Sequence, residues 1–261
     1  MITSKQNPKV QWARALIQHR QEREKFDTFV VEGVRLVEEV HHANLIPLML
    51  FYCNGLSQRG IYLVDQFKSK KVDTIEVNPD VMRSISDTET PQGIIAILSK
   101  TAIPLPASLN FILIADGISD PGNLGTILRT ASAASAQAVI LTKGTTDPFA
   151  PKVLRAGMGA HFHLPIHIMD WEMIHDLVKS YQEIPLKLYL AVNDGGRNYW
   201  EPDYKNPLAI IIGSEAEGAS ICAHQCADDL ITIPLLKSTE SLNAAMAAGI
   251  LLFEIVRQRH L

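Results

Sequence analysis

The sequence has 261 residues, of which 47% are hydrophobic and 20% charged, so it can bury a core and is not typical of a disordered chain. Its formal net charge of −4 gives no overall electrostatic signature of nucleic-acid binding. No apolar run approaches the roughly 20 residues that span a bilayer, and the first residues, MITSKQNPKV, contain no apolar leader core. Since three cysteines are too few for a disulfide framework, we expect a soluble cytoplasmic protein that does not contact membranes.

The first hundred residues alternate between helical and extended patterns, which predicts a small α/β domain. The predicted helices are Pro8–Arg20, Val34–His42 and Gly60–Ser69, and the predicted strands are Thr28–Val31, Leu45–Tyr52, Thr74–Val77 and Ile94–Leu98. The segment TAIPLPASLN, residues 101–110, has two prolines among small and polar neighbours and is typical of a linker. We therefore predict a domain over residues 1–100, a linker over 101–110 and a second domain over 111–261.

After the linker, strand and helix patterns alternate more sharply. The predicted strands are Phe111–Ala115, Ala138–Leu141, Leu188–Val192, Leu208–Ile212 and Leu230–Ile233, and the predicted helices are Leu124–Ser135, Lys152–Gly157, Trp171–Tyr181 and Leu242–Arg257. Continuous apolar strands separated by helices predict a mainly parallel sheet covered on both faces. His161 and His163 alternate along a piece predicted to be extended, and we interpret both as structural.

Three loops that follow predicted strands carry glycine or proline together with small polar side chains. They are DPGNLGTILR (Asp120–Arg129), GSEAEG (Gly213–Gly218) and PLLKSTESLN (Pro234–Asn243). Each loop alone also fits a structural role as a turn or helix cap. Because ligands of parallel sheets bind outside the carboxyl ends of the strands, the three loops together favour a polar site at one edge.

Several common sites are absent from the sequence. Only Gly157-Met158-Gly159 approaches a dinucleotide fingerprint, and neither a Walker A loop nor a Gly-x-Ser-x-Gly elbow occurs. Cys222, His224 and Cys226 match no common zinc template, so we expect no metal.

The quoted loops resemble the three motifs of the SpoU/TrmH branch of the SPOUT methyltransferases. The matching segments are DPGNLGTILRTA (Asp120–Ala131), IIGSEAEG (Ile211–Gly218) and IPLLKSTESLNAAMA (Ile233–Ala247), with PKVLRAGMGAHFHLPI (Pro151–Ile166) between them. In the first domain, ITSKQNPKV, FVVEGVRLVEE and TPQGIIAIL resemble the RNA substrate-binding domain that precedes this catalytic domain in ribosomal RNA 2′-O-ribose methyltransferases. The resemblance covers nearly the whole chain.

This resemblance implies an α/β fold whose C-terminal part forms a trefoil knot, a homodimer with the active site near the subunit interface, and S-adenosylmethionine as cofactor. The residues that match cofactor-binding positions are Gly213, Ile233, Leu235 and Leu242, and those that match catalytic positions are Asn123, Arg129, Glu215, Ser241 and Asn243. The implied reaction transfers a methyl group from S-adenosylmethionine to a ribose 2′-hydroxyl of RNA, most simply ribosomal RNA. It needs no metal.

Two positions qualify the resemblance. Arg129 matches a residue proposed in the family to assist deprotonation, but arginine is effectively never deprotonated in proteins. We therefore expect Arg129 to bind phosphate and stabilise the developing alkoxide. In the intermediate segment, many members have a serine where this chain has Gly157, so no role is assigned to residue 157.

RNA contacts are predicted on the first domain. Residues 1–25 contain six lysine or arginine residues against two glutamates, which also fits a solvated helix face. The predicted RNA-binding residues are Lys5, Lys9, Arg14, Arg20 and Arg35, the last beside the Glu32-Gly33 turn. The alternatives are a transfer RNA substrate, a non-catalytic RNA-binding protein of this fold, and an unrelated α/β enzyme that binds a nicotinamide cofactor.

Overall fold

The computed structural model describes residues 1–180, 183–215, 217–236 and 241–260. The chain divides into two compact units, Met1–Thr101 with Asp147–Phe162, and Ala102–Thr146 with His163–Leu261. The sequence places residues 147–162 in the second domain, whereas the structure packs them in the first unit. Aromatic contacts hold this segment in the first unit. The ring centroids of Phe149 and Phe162 lie 5.0 and 6.5 Å from the ring centroid of Phe29.

The first unit contains a four-stranded sheet. Its elements up to residue 100 are α1 (Pro8–Gln18), α2 (Arg20–Lys25), β1 (Thr28–Glu32), α3 (Val34–His42), β2 (Met49–Tyr52), α4 (Gln58–Ser69), β3 (Asp73–Glu76), α5 (Pro79–Ser84) and β4 (Ile94–Ser99). The strand order is β1-β4-β2-β3; β4 pairs antiparallel with both neighbours, and β2 pairs parallel with β3.

Both faces of this sheet are buried. Val31 on β1 packs into a cluster with Val37 of α3 and Phe67 of α4. The neighbouring residue Val30 points to the other face and joins a cluster with Leu16 of α1. The alternation follows from the pleat of a strand, in which successive side chains point to opposite faces.

The predicted helix Pro8–Arg20 is two helices, because His19 has extended backbone angles (φ −123°, ψ 121°) between α1 and α2. The strand predicted over Leu45–Tyr52 begins only at Met49 in the structure. Helix α5 was not predicted; Asn78 caps it through its side chain, and proline begins it.

The remaining elements follow in chain order. They are β5 (Phe111–Asp116), α6 (Pro121–Ala133), β6 (Ala138–Leu141), α7 (Pro151–Gly157), β7 (Ile166–Ile168), α8 (Trp171–His175), β8 (Lys187–Ala191), β9 (Arg197–Asn198), β10 (Leu208–Gly213), α9 (Ile221–Cys226), β11 (Asp229–Thr232) and α10 (Ala244–His260). Helix α7 belongs to the first unit, as does a 3₁₀ turn over Ala160–Phe162 that was predicted to be extended.

The second unit is built on a seven-stranded sheet in the order β7-β6-β5-β10-β8-β11-β9, and every pair among the described strands is parallel. Ile174 and Ala223, from α8 and α9, pack with strand residues such as Ile211. Helix α10 packs against α6 and β10. The predicted α/β class with a mainly parallel sheet is therefore confirmed, while the trefoil knot stays a prediction.

The predicted helix Trp171–Tyr181 is α-helical to His175 and continues as a π-helix over Asp176–Ser180. Tyr181 lies outside the described residues. The predicted helices Leu124–Ser135 and Leu242–Arg257 are observed as α6 and α10, with shifted ends. Among the described residues, no helix combines the length and apolar character needed to cross a bilayer.

Candidate active site

Asp116, at the carboxyl end of β5, connects two of the predicted site loops. Its buried carboxylate accepts hydrogen bonds from Thr142 Oγ1 at 2.8 Å and from the backbone N–H of Ser220 at 2.7 Å. Ser220 follows the loop after β10 and caps α9 through its side chain. Because a buried carboxylate is costly to leave unpaired, these bonds hold the loop after β10 beside the end of β5.

The DPGN turn begins α6 and positions Asn123. Asp120 Oδ1 accepts a hydrogen bond from the backbone N–H of Asn123 at 2.8 Å, and Pro121 occupies the first turn. Asp120 therefore has the capping role that the turn also permitted. Asn123 lies in the first turn of α6. Its half-buried side chain takes no part in this cap and can contact other residues.

Asn243 links all three predicted loops. Its Nδ2 donates hydrogen bonds to Asn123 Oδ1 at 2.9 Å and to Glu215 Oε1 at 2.5 Å. Its Oδ1 accepts from the backbone N–H groups of Ala245 and Met246 at 3.1 and 3.2 Å, which caps α10.

These bonds fix the orientation of both amides. Since Oδ1 of Asn243 serves the helix N-terminus, its NH₂ group must face Asn123 and Glu215. Oδ1 of Asn123 is then the acceptor, and its NH₂ group is left to donate. Glu215 is held in addition by the backbone N–H of Ala244, at 2.9 Å from Oε1.

Arg129 lies outside this cluster. It follows Asn123 by six residues on α6, which places it about 9 Å further along the axis and about 120° around the helix. Its side chain is exposed, and nothing in the described part of the chain bonds to its guanidinium group. Among the described residues, Arg129 is therefore a cation without a counter-charge, on the surface of the second unit.

A cavity of about 470 Å³ opens beside the cluster, at the carboxyl ends of β8, β10 and β11. All four residues predicted to bind the cofactor line it: Gly213, Ile233, Leu235 and Leu242. Glu215 and Ser241, two of the predicted catalytic residues, also line it. The structure thus collects these residues around one space, while their individual roles stay predictions.

Gly213 has a steric reason to be glycine. A Cβ at this position would lie 2.5 Å from the backbone nitrogen of Ala219 and 2.6 Å from the carbonyl carbon of Gly218. Two backbone hydrogen bonds between Ser214 and Gly218, of 2.9 and 3.0 Å, close the loop over Gly213. The close approach of backbone to backbone shapes one wall of the cavity.

The loop after β8 is a part of the cavity wall that was not among the predicted site loops. Asn193 and Asp194 line the cavity from this loop, and His224 lines it from α9. The sequence did contain a reason to include this loop. It follows the predicted strand Leu188–Val192, which must end at the same edge of a parallel sheet as its neighbours. What the pattern lacked was the strand order, which places β8 directly between β10 and β11.

The five predicted RNA-binding residues lie in the first unit, and three of them already have partners. Lys9 Nζ lies 2.7 Å from Asp73, Arg20 Nε lies 2.6 Å from Glu24, and Arg14 Nε donates to the Ser84 carbonyl at 2.9 Å. Lys5 and Arg35 are exposed and form no ion pair within the described ranges.

Arg23, counted in the basic N-terminal segment, is not a surface cation. It is 4% exposed, and its guanidinium donates to Asp147 at 2.7 Å and to the carbonyls of Leu16 and Ile17. The solvated helix face that the basic segment also fits does not include Arg23, because this side chain is buried against Asp147. Glu32 does not cap α3; its carboxylate accepts from Asp87 N at 3.0 Å and from Thr88 Oγ1.

Two family models together match most of this chain. Residues 110–253 match the model of the SpoU rRNA methylase family, and residues 7–96 match that of the MRM3-like substrate binding domain. The chain belongs to the SpoU rRNA methylase family. It is therefore an RNA methyltransferase, and the family and enzyme class predicted from the loop motifs are confirmed.

Relatives of this SpoU methylase align over most of its length. It is 33% identical to human mitochondrial rRNA methyltransferase 3, over 93% of this chain and 70% of the relative. It is 32% identical to the 23S rRNA (guanosine(2553)-2′-O)-methyltransferase RlmP of Bacillus subtilis, over 97% of this chain and 98% of that protein.

Solved structures agree in fold. The SpoU methyltransferase AviRb from Streptomyces viridochromogenes, in complex with the cofactor AdoMet, superposes with a TM-score of 0.90 at 28% identity, covering 98% of this chain and 99% of AviRb. An rRNA methyltransferase from Sinorhizobium meliloti gives a TM-score of 0.85 at 32% identity, covering 100% and 97%.

The residues around the cavity fit S-adenosylmethionine, and the predicted cofactor is confirmed. The volume of about 470 Å³ lies within the range of sites for ligands of this size. Ile231, Ile233 and Leu242 give it apolar walls, while Asp194 and Glu217 bring carboxylates that suit a positively charged ligand. As for metals, the described residues contain no group of three His, Cys, Asp or Glu side chains that could hold an ion.

Proposed function

We propose that this enzyme transfers the methyl group of S-adenosylmethionine to a ribose 2′-hydroxyl of ribosomal RNA. The observation that carries the proposal is the hydrogen-bonded cluster of Asn123, Glu215 and Asn243, which stands beside the cavity where the cofactor fits. The names of the relatives support the substrate, since RlmP is named for 2′-O-methylation of 23S rRNA.

In this proposal the cluster orients the substrate ribose. S-adenosylmethionine supplies an electrophilic methyl group on its sulfonium. Glu215 and the start of α10 hold Asn243, and Asn243 in turn holds Asn123 with its NH₂ group free to donate to a ribose or phosphate oxygen. Holding the hydroxyl in line with the methyl group lowers the barrier, because oriented reactants have high effective molarities.

Arg129 is proposed to bind the phosphate of the target nucleotide and to stabilise the oxygen as it loses its proton. Its exposed guanidinium is not neutralised by a carboxylate in the described ranges, so its full charge is available to RNA. Ser241, exposed at the rim of the cavity, is proposed to contact the substrate or cofactor through its hydroxyl.

We also propose that the enzyme works as a cytoplasmic homodimer. Helix α10 exposes Met246 and Phe253, with 61% and 50% of their surfaces accessible, two turns apart on one side. Large apolar side chains in such a row are typical of a subunit contact. The three cysteines, Cys53, Cys222 and Cys226, are free, which suits a reducing compartment.

The first unit is proposed to select the RNA. Lys5 and Arg35 are the candidates that form no ion pair with any residue the structure describes, and Lys9, Arg14 and Arg20 would exchange their present partners for phosphates. Phosphate contacts of this kind weaken as salt rises, because RNA binding releases counterions.

The test is methyl transfer from labelled S-adenosylmethionine to total RNA, separated afterwards into ribosomal and transfer RNA. The wild type is expected to place alkali-resistant ribose label in ribosomal RNA. Asn123→Ala is expected to lose about 100-fold or more in rate, the usual cost of removing one donor from an active site. Asn54→Ala, at an exposed position of the first unit, is the matched control and is expected to act as wild type.

Two results would contradict the proposal. Label that enters only the transfer RNA pool would change the substrate class. Absence of label from every pool, in spite of measured cofactor binding, would indicate a protein that has kept the fold without the reaction.

A further inference from the structure

Three lysines at the end of α4 form the densest group of unpaired cations in the first unit. Lys68, Lys70 and Lys71 are all exposed, and none has a carboxylate partner within the residues that the structure describes. Other basic residues of this unit are neutralised nearby: Arg59 pairs with Glu38, and Arg83 with Asp80.

Two aromatic rings are found near this end of α4 or on the same helix. Lys68 Nζ lies 5.0 Å from the centre of the Tyr52 ring. Tyr62, on α4, keeps 55% of its surface exposed and meets His41 edge to face, with 6.3 Å between ring centres. Burial lowers the pKa of His41, and the charge of the nearby Lys70 lowers it further, so the neutral form of this histidine is favoured.

Helix-end electrostatics do not account for the whole group. The carboxyl end of a helix carries the equivalent of about half a negative charge, which one lysine already compensates. Three lysines within four residues leave an excess of positive charge at this end of the helix, and the exposed ring of Tyr62 lies two turns earlier on α4. Basic side chains that alternate with aromatic rings are the pattern with which proteins hold single-stranded nucleic acid.

We propose that Tyr62, Lys68, Lys70 and Lys71, called here the α4 end surface, bind the RNA substrate outside the active site. The lysines contact phosphates, and the Tyr62 ring stacks on an unpaired base. This inference rests on the proposed function, because it assumes that the enzyme acts on structured ribosomal RNA, whose loops present unstacked bases.

The lysines are tested by the salt dependence of RNA binding. Filter binding of the full chain to a large-subunit ribosomal RNA transcript is measured from about 50 to 300 mM KCl. Lys68→Gln/Lys70→Gln is expected to reduce the slope of log affinity against log salt by about 1.4 to 1.8, and to weaken binding about tenfold or more at 100 mM. Lys71 is left in place, because its backbone has a left-handed φ of 61°.

Two further variants separate charge from structure. Lys68→Arg/Lys70→Arg keeps both cations and is expected to keep the wild-type slope. Arg59→Gln/Arg83→Gln removes two cations from the same unit that already have carboxylate partners, and it is expected to change the slope by well under one.

Tyr62 is tested by a change in affinity without a change in slope. Tyr62→Ala removes a neutral stacking ring and is expected to weaken binding about fivefold or more. Tyr62→Phe keeps the ring and is expected to bind as wild type. The matched control is Ile61→Ala, at a neighbouring position of α4 with a similar exposure of 51%.

The inference would be overturned by an unchanged slope for Lys68→Gln/Lys70→Gln together with an unchanged affinity for Tyr62→Ala. The α4 end surface would then be a candidate contact for a protein partner. Thermal melting confirms that each variant is folded. The methyl-transfer assay of the wild type separates the two proposals: absence of label in ribosomal RNA contradicts the proposed function, whereas wild-type transfer with unchanged RNA binding in the variants contradicts only the α4 end surface.

Discussion

Replacing Arg23 by methionine tests whether the buried ion pair with Asp147 holds residues 147–162 in the first unit. The Arg23 and Asp147 side chains are only 5% and 10% exposed. Nε and Nη2 of Arg23 lie 2.8 and 2.7 Å from Asp147 Oδ2, and Nη1 donates to the carbonyls of Leu16 and Ile17. Removing the arginine leaves a buried carboxylate without its counter-charge.

The expected cost is about 3–5 kcal/mol, the usual range when one partner of a buried pair is removed. For a protein of this size each kcal/mol lowers the melting temperature by about 2–4 °C, so Arg23→Met is expected to melt roughly 10 °C below wild type. Thermal melting measures the shift in melting temperature, and urea unfolding measures the loss of stability. Arg83→Met makes the same substitution in the exposed pair with Asp80 and is expected to cost no more than about 1 kcal/mol.

The double variant Arg23→Met/Asp147→Leu completes a thermodynamic cycle. Because it removes both charges, it is expected to recover much of the stability that the single variant loses. If Arg23→Met costs no more than Arg83→Met, the ion pair does not hold the segment, and the aromatic contacts of Phe149 and Phe162 must do so.

Three further predictions concern the site and its surroundings. Gly213→Ala is expected to lower S-adenosylmethionine affinity at least about tenfold in calorimetry, because its Cβ would meet the backbone of Ala219; wild-type affinity would contradict the steric argument. Arg129→Ala is expected to bind S-adenosylmethionine as wild type and to lose methyl transfer, since the arginine acts on the RNA; parallel loss of both would place it at the cofactor instead. Burial lowers the pKa of His161 to about 4, so its neutral form is favoured in the folded state. Its stabilising contribution is complete above about pH 6.5 and decreases as the pH falls toward 4, by about 3 kcal/mol in total, and His161→Gln is expected to flatten urea-measured stability over this range.

Local features of the protein could be predicted from the sequence because they depend on near neighbours in the chain. The start of α6 follows from Asp120 and Pro121, a cap and a first-turn proline that need no tertiary partner. The parallel sheet follows from continuous apolar strands separated by helices. The loop motifs were sufficient to predict the family, the enzyme class and the cofactor, all of which are confirmed.

Contacts between distant parts of the chain were decided only by the tertiary structure. Asn243 and Asn123 are 120 residues apart and meet because β10 lies beside β5 and α10 packs against α6. Asp194 joins the cavity only because β8 lies between β10 and β11. Arg23 carries the same charge as its exposed neighbours in the sequence, yet it is buried against Asp147. Residue type determines which interactions a side chain can make, whereas packing determines which partners reach it and whether water does.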